Sequence, residues 1–183
     1  MTTRVALVSH CLLNQNAKVA EYAICPGALP WVASDLSAAG YLIQQMPCPE
    51  MTFLGVGRWW QVREQYDTPG YRNHCRRAAE TVAAVLQHNL RDGCEDLVLI
   101  GVDGSPSSGV TITDSGQSWG GRPEPRDMAL VSGKGVWIGI LEEVLLSKGL
   151  PRARSIGLGT ELPGYDEAST RNSLRDWLLA KEE

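Results

Sequence analysis

The chain lacks what several protein classes require. No Cys-x-x-Cys pair occurs in its 183 residues, which argues against a zinc ribbon or a thioredoxin-type site. Its five cysteines are odd in number and scattered, unlike the paired framework of a secreted disulfide-rich protein. No stretch approaches the ~20 apolar residues that span a bilayer. Basic residues are not in excess: 17 Lys and Arg stand against 21 Asp and Glu, a formal net charge of -4. No nucleic-acid or membrane partner is therefore expected, and a small molecule is the expected one. Met1-Thr2-Thr3-Arg4-Val5 leads straight into an apolar run without a signal-peptide core, so a cytoplasmic location is expected. Repeats, low-complexity tracts and linkers are also missing. The expectation is one α/β domain over residues 1–183, with 43% apolar and 21% charged residues as in an ordinary globular protein. The oligomeric state is not legible.

What is present alternates between strands and helices. Strand patterns lie at residues 4–9, 41–46, 96–102 and 153–158, each short, apolar and bounded by turn residues. Helical spacing runs over 26–39, from Arg72 to the Asp92-Gly93 stop, and over 136–148, with a last helix that Asp166, Ser169 or Thr170 could cap. Residues 51–71 read as irregular and aromatic, and residues 111–135, rich in glycine, as a long loop of the lid or mobile kind. Strand–helix alternation predicts a parallel sheet with helices on both faces, a Rossmann-like or flavodoxin-like three-layer sandwich.

In such a sheet the strand C-termini share one edge, where ligands bind. Three predicted strands run into suggestive turns there. The first is followed by His10-Cys11, the second by Pro47-Cys48-Pro49-Glu50, and the third by Gly104-Ser105-Pro106-Ser107-Ser108-Gly109. Taken singly, a cysteine is most simply a small buried hydrophobe, Glu50 a solvated loop residue, and the serine run a polar turn. Taken together, Cys11, Cys48 and the serines can meet in one crevice. Glu50 is placed there for acid–base work, and the serine turn offers N–H groups for an anion nest. His10 abuts Cys11 and is a candidate base for it. Cys75 falls on an apolar helix face and Cys94 at the opposite sheet edge, so neither is expected to act. Cys25, before Pro26-Gly27, is a spare ligand candidate. Trp59, Trp60, Trp119 and Tyr66 are expected in the core or as crevice walls.

These motifs resemble the thiouracil desulfidases and their relatives. The resemblance rests on Cys11-Leu12-Leu13-Asn14, Cys48-Pro49-Glu50 and Gly104-Ser105-Pro106-Ser107-Ser108-Gly109. Gln65-Tyr66-Asp67, Tyr71-Arg72, Trp119-Gly120-Gly121 and the glycine before the Trp137 helix extend it over roughly residues 4–149. It implies a four-iron four-sulfur cluster held by three cysteines with one open iron, acting on the sulfur of a small thiocarbonyl compound of the thiolated-base type. Cys11 and Cys48 would be two metal ligands, with Glu50 and Ser105 in the proton-transfer and substrate-activating positions. The third ligand position departs from the pattern: Ser108 stands where the family carries cysteine. A hydroxyl is a harder and less acidic donor than a thiol. Several arrangements stay open: Cys25 substitutes, Ser108 ligates as an alkoxide, no stable cluster forms, or the serine was introduced. In the third case the crevice is a small-ligand module without C–S cleavage.

Overall fold

A computed structural model of the chain describes residues 3–116 and 128–180. In chain order the elements begin with β1 (Thr3–Val8), α1 (His10–Leu13), α2 (Pro30–Ala38), β2 (Leu42–Gln45) and α3 (Pro49–Leu54). They continue with α4 (Arg63–Tyr66), α5 (Pro69–Asn89), β3 (Cys94–Val102), β4 (Ile112–Gly116) and β5 (Met128–Ser132). α6 (Val136–Ser147), β6 (Arg154–Leu158) and α7 (Glu167–Leu179) complete the chain. Single 3-10 turns at Gln15–Ala17 and Ala20–Tyr22 link α1 to α2.

β2, β1, β3 and β6 form a four-stranded sheet in that order, every pair parallel. The central strands are buried and without polar side chains over Val5–Val8 and Leu97–Val102, where both of their faces are covered. On β1, Val5 and Leu7 join one core with Leu97 and Leu99 of β3 and with the apolar faces of α5 and α6. Ala6 and Val8, with Val98, Ile100 and Val102, face the opposite core under α2 and α7. The three-layer α/β sandwich expected from the alternation is present.

α7 is tied to α2 by charge as well as packing. Asp35, 5% exposed, accepts from Arg171 Nε at 2.7 Å and Nη2 at 2.8 Å, and from Arg175 Nη2 at 2.8 Å. The Arg171 hydrogen bonds, helped by Arg175 and opposed by burial, hold its carboxyl down at about 2. A depressed carboxyl contributes stability above its unfolded value near ~3.9 and loses it as pH falls through the folded one. The arginines are 35% and 48% exposed, so water screens the pairs. Asp35→Asn is expected to lower the thermal midpoint by about 2–4 °C at pH 7. The gap should close between about pH 4 and pH 2. A gap that persists at pH 2, seen in melts of both proteins, contradicts this assignment.

Three local expectations need correction. His10–Leu13, read as loop, is a helical turn. Residues 51–71, read as irregular, hold most of α3, all of α4 and the start of α5, which begins at Pro69 with Thr68 as its cap. The 111–135 stretch is not one loop: β4 and β5 pair antiparallel within it, from Ile112–Ser132 to Gly116–Met128. Among the described residues no helix is long and apolar enough to cross a membrane.

Candidate functional site

Order β2-β1-β3 makes the gap between β1 and β3 a switch point, where chain connections leave in opposite directions and open a crevice. Cys11 follows β1, Cys48 and Glu50 follow β2, Ser105 and Ser108 follow β3, and Glu161 follows β6. All six line one cavity of about 480 Å³, open to solvent, together with Lys18, Arg58, Trp60, Tyr66 and Asp114. Of the residues expected at this edge, Cys11, Cys48, Glu50, Ser105 and Ser108 come together in the cavity, while His10 and Ser107 do not line it.

Each side chain is held by its local structure. Cys48 caps α3: the Pro47 and Pro49 flanks end β2, and Cys48 Sγ accepts the Met51 N–H at 3.4 Å. Arg58 Nη2 lies 3.9 Å from the same sulfur. Burial outweighs these contacts and pushes the Cys48 thiol up to about 11. Burial raises the Cys11 thiol further, with Lys18 nearby pulling the other way. Metal or ligand loading must then displace thiol protons.

Glu50 is 8% exposed and is held from three sides. Arg58 Nε donates to its Oε2 at 3.1 Å, the Tyr66 hydroxyl donates to the same oxygen at 3.1 Å, and the Ser105 hydroxyl reaches Oε1 at 3.5 Å. Arg58 is itself anchored, with Nη2 on the Ala17 carbonyl at 2.9 Å. Burial raises the Glu50 carboxyl while Arg58 opposes it. Burial and Glu50 also raise the Tyr66 phenol, which stays a donor.

The serine turn is not an open anion nest. Ser105 Oγ accepts the N–H groups of Ser107 at 3.4 Å and Ser108 at 3.1 Å, so those donors are spent inside the turn. That occupies the oxygen's lone pairs and leaves its proton for Glu50 or a ligand. Ser107 bonds the Tyr71 hydroxyl at 2.8 Å. The Ser108 hydroxyl makes no hydrogen bond among the described residues and lines the crevice. Behind the turn, Asp103 Oδ1 accepts the N–H groups of Val110, Thr111 and Ile112 at 2.8, 2.9 and 3.2 Å. A Cβ on Gly157 would stand 2.1 Å from that carboxylate, and one on Gly135 would stand 2.3 Å from the Ser107 backbone. Both glycines are required by close approach.

Several sequence candidates fall elsewhere. Cys25 does not line the cavity; its Sγ faces the Ala28 carbonyl at 3.4 Å, so it is not positioned as a substitute ligand there. Cys75 is buried in the α5–α6 core and Cys94 is exposed at the start of β3. His10 turns to Gln45, with Nδ1 2.7 Å from Gln45 Nε2, rather than to Cys11. Tyr66 and Trp60 are crevice walls as expected, Trp59 is half-buried, and Trp119 lies outside the described residues.

Four residues of the crevice carried no signal in the sequence reading. Arg58 sits in the stretch read as irregular. Lys18 is buried, pairing with Glu161 at 2.8 Å and donating to Thr160 Oγ1 at 3.2 Å. Asp114, on β4, is pushed up to about 6 by burial and by Glu161.

A cluster held at three irons needs three donors, soft ones by preference. The crevice supplies two thiols, Cys11 and Cys48, and an uncommitted hydroxyl, Ser108. Among the described residues no group of three or more His, Cys, Asp or Glu could hold a metal ion. The set fits the cluster only with oxygen as the third donor.

Fold and site together define an α/β protein with a thiol-bearing crevice at the C-terminal edge of its sheet. Residues 4–120 match the family described as "Putative 2-thiouracil desulfurase", and the chain belongs to that family. An uncharacterized protein of Methanocaldococcus jannaschii is 36% identical over 107 residues, spanning 58% of this chain and 68% of its own. No solved structure matches the chain at a significant level.

Proposed function

We propose that the protein removes sulfur from a small thiocarbonyl compound of the 2-thiouracil type, replacing it with oxygen from water. The observation that carries this reading is the convergence of Cys11, Cys48, Glu50, Ser105 and Ser108 on one crevice in a chain of this family. The overall change is C=S plus water to C=O plus hydrogen sulfide, so a water must lose its protons and the sulfur must gain them.

Cys11, Cys48 and Ser108 would hold a four-iron four-sulfur cluster. When bound, that group supplies a soft Lewis-acid iron that takes the substrate sulfur. Glu50 takes a proton from the attacking water at one carboxylate oxygen. Arg58 and Tyr66 hold the other oxygen and keep the carboxylate aimed at the crevice. Ser105, its oxygen fixed by two backbone N–H groups, presents its proton to the substrate, and Glu50 hands the protons it takes from water to the departing sulfur, which leaves as hydrogen sulfide. Glu50 and Ser105 are themselves buried at the crevice, which strengthens each of these hydrogen bonds.

One observation favours a second reading, a module that binds a small planar or anionic ligand without C–S cleavage: a hydroxyl stands at the third donor position. Anaerobic incubation of the reconstituted protein with 2-thiouracil, following sulfide and uracil together, separates the two. Equimolar release of both products is expected, and Ser108→Cys is expected to raise iron retention and rate together. Ser108→Cys protein that loads fully with iron and releases no sulfide would overturn the enzyme reading in favour of the binding module.

A further inference from the structure

Asp114 differs from the other carboxylates that are not exposed. Asp35 has two arginines, Asp96 has Arg154 and Tyr41, and Asp103 has three backbone N–H groups. Glu50 has Arg58 and Tyr66, Glu64 has Ser115 and Gly116, Glu142 has Lys134, and Glu161 has Lys18. Asp114 has no hydrogen-bond donor and no cation among the described residues. A half-buried carboxylate without a donor is costly, and the site that repays the cost is a ligand.

Its position favours a ligand in the thiol crevice. Asp114 lines that cavity together with Cys11, Cys48 and Ser105, and it also lines an adjoining one with Tyr22, Trp60, Met128, Ala129 and Leu130. The strand that carries it is fixed to the serine turn on one side, where Thr113 Oγ1 donates to the Ser105 carbonyl at 3.1 Å and Gly104 N–H donates to Ile112 O at 3.0 Å. On the other side Glu64 holds Ser115 and Gly116. Asp114 is thus held at a set place relative to Ser105, in a cavity that Tyr22, Trp60 and Tyr66 also line and whose aromatic surface suits a flat ring.

From this geometry we propose that Asp114 is the specificity-determining residue of the crevice, accepting a hydrogen bond from a ring N–H of a cyclic thioamide. The inference rests on the thiocarbonyl reading and adds the rule that a ring substituted at the one nitrogen Asp114 reads is rejected. Lys18 and Arg58, the cations that line the cavity, are already held by Glu161 and Glu50, so a neutral N–H donor suits Asp114 better than an anionic group does.

The test is calorimetric binding of 2-thiouracil, 1-methyl-2-thiouracil and 3-methyl-2-thiouracil to the full-length reconstituted protein and to its Asp114→Ala and Asp114→Asn variants. One of the two methylated rings is expected to bind wild type about 10- to 100-fold more weakly than 2-thiouracil, the worth of one charge-assisted hydrogen bond. In Asp114→Ala that difference should vanish, with 2-thiouracil weakened to match, while Asp114→Asn should retain part of it. A merely structural role would weaken all three rings alike. Equal losses, an unchanged preference in the variants, or no binding of 2-thiouracil to wild type each overturns the proposal. Sulfide release is followed separately: binding that shows the expected pattern without sulfide would leave Asp114 as ring reader and sink the desulfurising reading alone.

Discussion

Glu50→Gln is expected to slow sulfur release by about 10²–10⁴-fold, the usual worth of a positioned acid–base group. Glutamine keeps the size and both hydrogen-bonding atoms but cannot take a proton from water. It also removes the counter-charge of Arg58, whose side chain is 4% exposed, so some loss of stability is expected too. Glu50→Asp separates the two effects. The shorter acid keeps a negative charge for Arg58 but withdraws the carboxylate from the crevice. Its melting temperature should return toward wild type while turnover stays low. Turnover of Glu50→Gln within tenfold of wild type, at equal iron content, would remove Glu50 from the chemistry.

Asp103→Ala is expected to be the most damaging single change to the fold at the site. It strips the acceptor from the N–H groups of Val110, Thr111 and Ile112 and from the Thr111 hydroxyl at 2.5 Å. A buried donor left without a partner costs about 1–3 kcal/mol, and the Val110 N–H is buried while those of Thr111 and Ile112 are partly so, so a loss of about 2–4 kcal/mol is expected in urea unfolding, with little change in slope. The turn that carries Ser105 and Ser108 depends on this clamp, so iron retention and ligand binding should fall with stability. Asp103→Asn keeps the shape and one oxygen and should lose less. A loss below about 1 kcal/mol for Asp103→Ala would mean that the turn holds itself.

The sequence carried the sheet and the crevice for the same reason. β1 and β3 bury both faces, so Val5–Val8 and Leu97–Val102 read as unbroken apolar runs, and their ends mark one edge in any parallel sheet. Cys11, Cys48, Glu50, Ser105 and Ser108 follow those ends within a few residues, which made the constellation legible without long-range information. Local signal fails where elements are short. α3 and α4 have 6 and 4 residues, too few to show a period, and Arg58 sits between them. The β4–β5 hairpin was hidden by the glycines of 111–135. Lys18 reaches Thr160 across 142 positions and Asp103 clamps a turn seven to nine residues on; neither pairing leaves a local pattern. The nest failed because Ser105 Oγ takes the N–H groups that a nest would offer, competition that serine brings to any tight turn.

Under the proposed function, Cys11, Cys48 and the Ser108 hydroxyl would together hold a cluster in this crevice. The measurement that tests it most directly is iron and acid-labile sulfide content after anaerobic purification and reconstitution, with the visible absorption recorded alongside. About four irons and four sulfides per chain are predicted, falling sharply in Cys11→Ala and Cys48→Ala. Iron near zero in the wild-type chain would contradict the account.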